Sequence, residues 1–379
     1  MTKIPRSTTL ASALCSAGVL LLSGQVAHAN DDFKFKGGGF GTLGAAVTDL
    51  DGTQFRTGLD QYSGADKHVD LGVDSRLGLQ GTVMYKSDFS VTAQLLGTRR
   101  QDVDFDLGVE WLYAQYTGIS GLDLKAGRVA LPAFLVSDSR FVAYTSPWLR
   151  VPTLVYSMMP ISTVDGYQAG YRHTIGPAVA SLQVTHGRTK AKLSTVQDVG
   201  FTLPTYLDGT YSKVTSVNAL LEWGDWTARI GQVKSDVDFK TAVDIPGSGM
   251  TPGTSLALSD TFTGAGLQYD NGQALVVAEY VTRKTVPSPI DGKAWYVGGG
   301  YRFGPVMPYV LISKYTPSEG KDSKGAAVGV RYDFAKDVAL KVEYARYDTN
   351  DFYSVTDNVT PAVVDKKLNV LSVSIDFVF

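Results

Sequence analysis

Beyond the first 29 residues, the side chains best suited to proton transfer or metal binding are His68, His173 and His186. None has a partner at metal-pair spacing, and no G-x-S-x-G nucleophile motif occurs. His173 with a nearby serine could imitate the pair used by membrane-embedded hydrolases, but a single histidine is thin support. The one cysteine, Cys15, lies in the amino-terminal segment, so residues 30–379 hold no thiol for a disulfide or a metal. No catalytic residue, metal site or cofactor is expected. The glycine runs 37–39 and 298–300 lack the lysine and helix start of a phosphate loop and suit crowded strands instead. What remains is charge. Asp74, Arg76, Glu110, Arg172, Arg229, Arg302 and Arg331 sit in strand-like stretches, and Asp138, Arg140, Arg150 and Asp165 share one long connection. Arginines and carboxylates facing one another across water steer and select ions rather than make or break bonds.

The elements that must position these charges have period two. In "VDLGVDSRLGLQGTVMY" (69–85) one parity is almost wholly apolar and the other polar, over a run far longer than the roughly five or six residues of an ordinary strand. The same alternation recurs at 33–48, 89–99, 107–117, 122–128, 166–175, 178–187, 213–223, 226–234, 261–270, 273–283, 294–303, 306–315, 325–334, 338–348 and 367–379, making sixteen segments. Seven connections are tight, among them "GP" at 176, "GD" at 224 and "DNG" at 270, which supply the positive φ that hairpins need. The other eight are longer: 49–68, 100–106, 129–165, 188–212, 235–260, 284–293, 316–324 and 349–366. A soluble sandwich would not keep this strict alternation of long and short. The pattern predicts an all-β protein: a transmembrane 16-stranded antiparallel β-barrel with both ends of the chain on the short-turn side.

Charge placement separates the two faces. An Arg or Lys facing lipid at mid-bilayer costs roughly 2–4 kcal/mol, so in-strand charges should share the polar face. Asp70, Asp74, Arg76, Glu110, Arg172, Glu222, Arg229, Glu279, Arg283, Arg302, Arg331, Asp333, Lys341, Glu343 and Asp376 can all be placed there, with Glu279 awkward because Leu275 and Val277 share its parity. Arg128 and Arg346 fall on the apolar face near strand ends, and His173 does so near a turn. A polar inner face in a barrel of this size leaves an aqueous channel. Tyr85, Phe89, Tyr116, Trp223, Trp226, Tyr269, Phe303 and Phe334 flank the short turns, as an interfacial aromatic girdle would. The formal net charge is −2, which gives no reason to expect nucleic acid as a partner.

Lys3 and Arg6, an apolar run from Leu10 to Leu22 and "AHA" at 27–29 form the pattern of a secretory signal. Residues 1–29 are therefore expected to be removed, leaving 30–379 as one barrel domain.

With these features the chain resembles the trimeric porins of Gram-negative outer membranes. The residues that carry the likeness are "AHA", the glycine-rich "FKFKGGGFGTLGAA", the passage "LDLKAGRVALPAF" (122–134) and the terminal "SIDFVF". The resemblance implies a water-filled channel, a homotrimer surrounded by outer-membrane lipid and lipopolysaccharide, and a final strand whose Phe379 is read by the barrel-assembly machinery. It also implies that the third long loop, 129–165, folds inward and narrows the pore. That loop suits burial, with Phe134, Leu135, Phe141, Trp148 and Met158 and four stiffening prolines. Two functions stay open: passive diffusion of small hydrophilic solutes and ions, or a ligand-selective channel with a saturable site for an anion such as phosphate or a carboxylate. The expected constriction is Arg76 and Arg140 facing Asp138, above a basic lower vestibule of Arg172, Arg229, Arg302, Arg331 and Lys341.

Overall fold

A computed structural model describes residues 32–50, 53–61, 63–100, 103–195, 205–241, 253, 255–287, 291–349, 355–357 and 366–379. The expected signal segment, 1–29, lies outside these residues. The wall begins with β1 (Phe33–Thr48), β3 (Arg76–Tyr85), β4 (Phe89–Arg100), β5 (Val103–Tyr116) and β6 (Leu122–Ala130), while a short β2 (Thr53–Phe55) lies within the first long loop. The third long loop carries a single helical turn, α1 (Thr153–Tyr156). Then come β7 (Thr163–Ile175), β8 (Ala178–Thr195), β9 (Thr205–Trp223), β10 (Trp226–Thr241), β11 (Ser255–Asp270) and β12 (Ala274–Val286). The wall continues through β13 (Gly292–Tyr301), β14 (Val306–Pro317), β15 (Ser323–Ala335) and β16 (Val338–Thr349) to β18 (Lys366–Val378), with β17 (Val355–Asp357) in the last long loop. Sixteen strands pair antiparallel in chain order and close when β18 meets β1. β2 and β17 pair with each other and join the first long loop to the last.

The alternation works as the sequence predicts, with the apolar parity outward. In β12, Leu275, Val277, Glu279, Val281, Arg283 and Thr285 are buried, and the residues between them are not. Around the barrel the exposed parity is apolar: Leu79, Val83, Val91, Leu182, Ile230, Val310, Ile312 and Ile375. Such a belt is stable only against lipid. Gly176 and Gly224 take φ of +58° and +55° in two of the tight turns, a conformation that a side chain would strain. Next to these turns, aromatic rings pair across neighbouring strands at centroid distances of 4.8 Å for Phe89–Tyr116 and for Trp226–Tyr269.

Two stretches depart from the sequence-based reading. Residues 69–75 are not part of β3. There the Asp70 carboxylate accepts hydrogen bonds from the Gly72 and Val73 amides and binds Arg99, so the chain bends before Arg76. The walls of β8 to β11 also run well past their expected ends at 187, 213, 234 and 261. Beyond Ile230 the faces of β10 exchange character. Val233, Val237 and Phe239 turn inward, while Gln232 and Lys234 turn outward. The upper wall is thus patterned like a soluble barrel, as it must be once it leaves the lipid.

The carboxyl-terminal ring completes the closure. The Phe379 amide donates to Gly39 at 3.0 Å, and the Gly39 amide donates back at 2.8 Å. The Phe379 ring occupies the space a Cβ on Gly39 would need, which is why the first strand carries glycine opposite the terminus. Deleting Phe379 removes both bonds, each worth about 0.5–1.5 kcal/mol, together with the ring contact. The expected outcome is a lower temperature for the heat-dependent gel shift of the folded barrel and less folded protein in the outer membrane. A deletion variant with unchanged midpoint and yield would show that the seam does not depend on this residue.

Candidate pore constriction

The connection from β6 to β7 is laid against inward-facing side chains of the wall. Its backbone carbonyls meet cations. The Lys341 ammonium donates to the carbonyls of Ala143, Ser146 and Trp148 at 2.7, 2.8 and 2.9 Å and pairs with Asp376 at 3.0 Å. Arg331 donates to the Tyr144 and Ser146 carbonyls at 2.6 and 2.9 Å while pairing with Asp333 at 2.7 Å. Arg229 donates to the Pro132 carbonyl. The loop's donors meet acceptors in the same way. Glu279 receives the Leu135 amide at 2.8 Å, the Tyr156 hydroxyl at 2.7 Å and the Tyr296 hydroxyl at 2.8 Å. Buried charges are tolerated when paired or hydrogen-bonded, as Lys341 and Arg331 are by acids and carbonyls and Glu279 is by three donors.

Apolar contacts complete the seat. Phe134 stacks on Tyr156 at 4.1 Å and meets Phe262 edge-on at 5.3 Å. Leu275, Val277 and Val281 belong to the same buried cluster as Leu154 and Val155 of α1. This resolves the awkward parity of Glu279: its apolar neighbours also face inward, where the loop covers them.

The tightest anchor is Arg150. Its guanidinium makes bonds of 3.0 and 2.7 Å to Asp74, one of 2.6 Å to the Ser372 hydroxyl, and lies 3.7 Å from Glu343. It also sits 5.0 Å above the Phe55 ring. Burial alone would lower its pKa, but Asp74 and Glu343 outweigh that and hold it above the ordinary arginine value. Phe55 in turn stacks on Tyr347 at 5.3 Å. One side chain therefore ties the first long loop, the third long loop and the end of the barrel together.

Part of the lumen stays open beside this anchor, with Arg150 and Val151 on its border. A cavity of about 270 Å³ is lined by Asp60, Arg76, Arg100, Glu110, Arg140 and Phe141, among others. Arg100 reaches Glu110 at 3.2 Å and Asp60 at 3.5 Å. Glu110 faces inward because β5 carries an extra residue there, between the Gln94–Trp111 and Leu95–Val109 pairs. It also accepts the Ser162 hydroxyl at 2.7 Å. Arg140 stacks against Phe141 at 5.0 Å, and its electrostatic partners are Glu110 and Asp60.

Of the residues singled out from sequence, Arg76, Glu110, Arg140 and Arg150 line this cavity, Arg150 while bound to Asp74, whereas Arg229 and Arg331 are engaged in holding the loop. Asp138 does not face Arg76 and Arg140; its charge partners are Lys125 and Arg229. Asp165 is not in the lumen. β7 begins at Thr163, so Asp165 shares the outward parity of Tyr167, and Arg128 grips it at 2.7 and 2.9 Å on the outer wall. The lower vestibule is not a free basic ring, because Arg172 pairs with Glu222 at 2.8 Å and Arg302 with Asp270 at 2.6 Å. Asp70 binds Arg99 at 2.8 Å rather than facing the pore. Sequence reasoning missed Asp60 because it treated 49–68 as an external loop. The apolar Phe55 and Leu59, unsuited to a solvated loop, were the available signal.

A family profile described as Gram-negative porin matches residues 11–351. The chain belongs to the Gram-negative porins. It is thus an outer-membrane channel protein, and solved porins share its fold. An anion-selective porin from Comamonas acidovorans superimposes with a TM-score of 0.59 at 14% identity, over 92% of this chain and 100% of that one. OmpF of Salmonella typhi, in complex with daunomycin, gives 0.58 at 12% identity, over 93% and 99%. OmpT of Vibrio cholerae gives 0.57 at 15% identity, over 93% and 99%. No curated protein matches this porin.

Replacing Arg150 by alanine strands two carboxylates in a buried site, a loss of the kind that costs about 3–5 kcal/mol. The variant is expected to unfold at lower temperature and to show larger, noisier single-channel currents as the loop loosens. Wild-type noise and stability in Arg150→Ala would show that the loop is held elsewhere.

Proposed function

We propose that this porin passes small hydrophilic solutes and ions by passive diffusion, with a mild preference for anions set where Arg76, Arg100 and Arg140 oppose Asp60 and Glu110. The observation that carries this reading is the cavity those five side chains share, whose full lining carries more cations than carboxylates: Arg99, Arg128, Arg150, Lys190 and Lys192 also border it, against Asp106 alone on the acidic side. In a narrow, water-filled passage such an excess concentrates counter-ions, while the opposed carboxylates keep the preference small. The third long loop narrows the passage from one side, and the first long loop, through Asp60, narrows it from the other. A saturable site for a carboxylate or phosphate is the second reading. It is favoured by the closeness of Arg76, Arg100 and Arg140 around one cavity, and the fold shared with an anion-selective porin is consistent with it.

The working unit is proposed to be a homotrimer. OmpT, one of the porins of this fold, has a trimer form. The outward glycines of β1, Gly37, Gly39 and Gly41, are covered by the rings of Phe35, Phe379 and Phe377, so the surface another wall would meet there is aromatic rather than small and flat. The amino-terminal segment 1–29 is proposed to direct export.

Reversal potential in a salt gradient tests the charge assignment. Arg76→Ala with Arg140→Ala should move it toward cations, and Asp60→Asn should move it toward anions. No shift in either variant would remove these residues from the constriction. Saturating, ligand-dependent block by a simple carboxylate would favour the second reading, and a strictly ohmic response the first.

Asp138 adds a pH test. Enclosure by the barrel pushes its carboxyl above the ordinary aspartate range even though it touches lumen water. On acidification from neutrality it should therefore gain its proton before ordinary carboxylates do, removing one negative charge and raising anion preference. Asp138→Asn should abolish that early step, and an unchanged pH profile in the variant would assign the step to another group.

A further inference from the structure

Beneath the third long loop, on the short-turn side, lies a second cavity of about 370 Å³ that the constriction does not use. Its walls are apolar and aromatic: Leu275, Val277 and Met307 from the barrel, and Tyr144, Trp148 and Tyr156 from the loop. The Trp148 ring fills the space where Gly298 would carry a Cβ, so the glycine allows the indole to lie flat on the wall. Passage of hydrophilic solutes does not call for such a lining. At the rim stand two ion pairs, Arg302 with Asp270 at 2.6 Å and Arg331 with Asp333 at 2.7 Å. Arg331 is also committed to loop carbonyls, whereas Arg302, Asp270 and Asp333 each keep about a third of their side chains exposed, at 32%, 30% and 39%. An apolar pocket with a few convergent polar groups is the usual form of a small-molecule site.

We propose that this cavity binds a small aromatic zwitterion, an amino acid with an aromatic side chain, entering from the short-turn mouth. The ring packs among Leu275, Val277, Met307 and the loop aromatics. The carboxylate is taken by Arg302 and the ammonium by Asp333 and Asp270, so the rim serves a ligand carrying both charges better than a plain anion. The site rests on the reading of the protein as a channel, yet it lies apart from the Arg76–Arg140 constriction.

The test is block of single-channel current by L-tryptophan in a planar bilayer, with L-alanine and indole as controls. Tryptophan added on the short-turn side should reduce the current in a saturable manner, alanine should not, and indole should act at least about tenfold more weakly for want of its charge partners. Arg302→Gln with Asp333→Asn should weaken tryptophan binding by at least about tenfold, and Val277→Phe, which fills the pocket from its uncharged side, should do the same. Isothermal titration of tryptophan into the detergent-solubilised protein reads the same site without conduction. If the protein fails to conduct but still binds tryptophan, the channel reading fails and the site stands. Equal effects of alanine and tryptophan, or unchanged binding in both variants, would overturn the site.

Discussion

Everything inside this barrel depends on Arg150. A guanidinium clear of water is tolerable only with strong compensation, and Asp74, Glu343 and Ser372 supply it from three different parts of the chain. Because Asp74 precedes β3 and Phe55 lies under the same guanidinium, the first long loop is drawn in with the third. Lys341, Arg331 and Arg229 repeat the arrangement at lower density, each capping loop carbonyls. The inner-wall charges of this porin thus divide into two groups. One group is consumed in seating the loop, and the smaller group is left facing water.

That division changes what a count of lumen charges means. The basic residues near the short turns look like an anion-attracting ring, but each has an acid or a carbonyl within bonding distance. Those paired with an acid contribute little long-range field, whereas Arg229, which is bonded to a carbonyl, keeps its charge. Selectivity then rests on the few groups lining the open cavity, and two of those, Asp60 and Arg140, come from loops. A loop-borne charge can be altered without disturbing the wall, so closely similar barrels can differ in preference.

Much of the wall was legible from sequence, because a strand with lipid on one side and water on the other has a period that nothing else imitates. Legibility ended where that contrast ended. The upper half of β10 was lost because its faces exchange character above the lipid, with Val233 and Phe239 inward and Lys234 outward. Asp165 was misassigned because the third long loop ends three residues earlier than its composition suggested, so that parity rather than loop membership decides its direction. Lys341 was correctly given to the polar face, yet its role as a cap for three carbonyls could not be read, since the loop that it holds is 193 to 198 positions away in sequence. The expected inward course of the third loop came from resemblance and from its apolar content. The side chains that seat it became visible only in three dimensions.

The central claim is that the third long loop lies within the barrel and is held there. Thr145, exposed toward the lumen between the carbonyls that Lys341 and Arg331 hold, offers the most direct probe, because residues 30–379 carry no native thiol. In Thr145→Cys, a small charged methanethiosulfonate should react and lower single-channel conductance, while a maleimide attached to a polymer too wide for the barrel should leave intact cells unlabelled. Ready labelling of intact cells by the polymer reagent would place the loop outside and contradict the account.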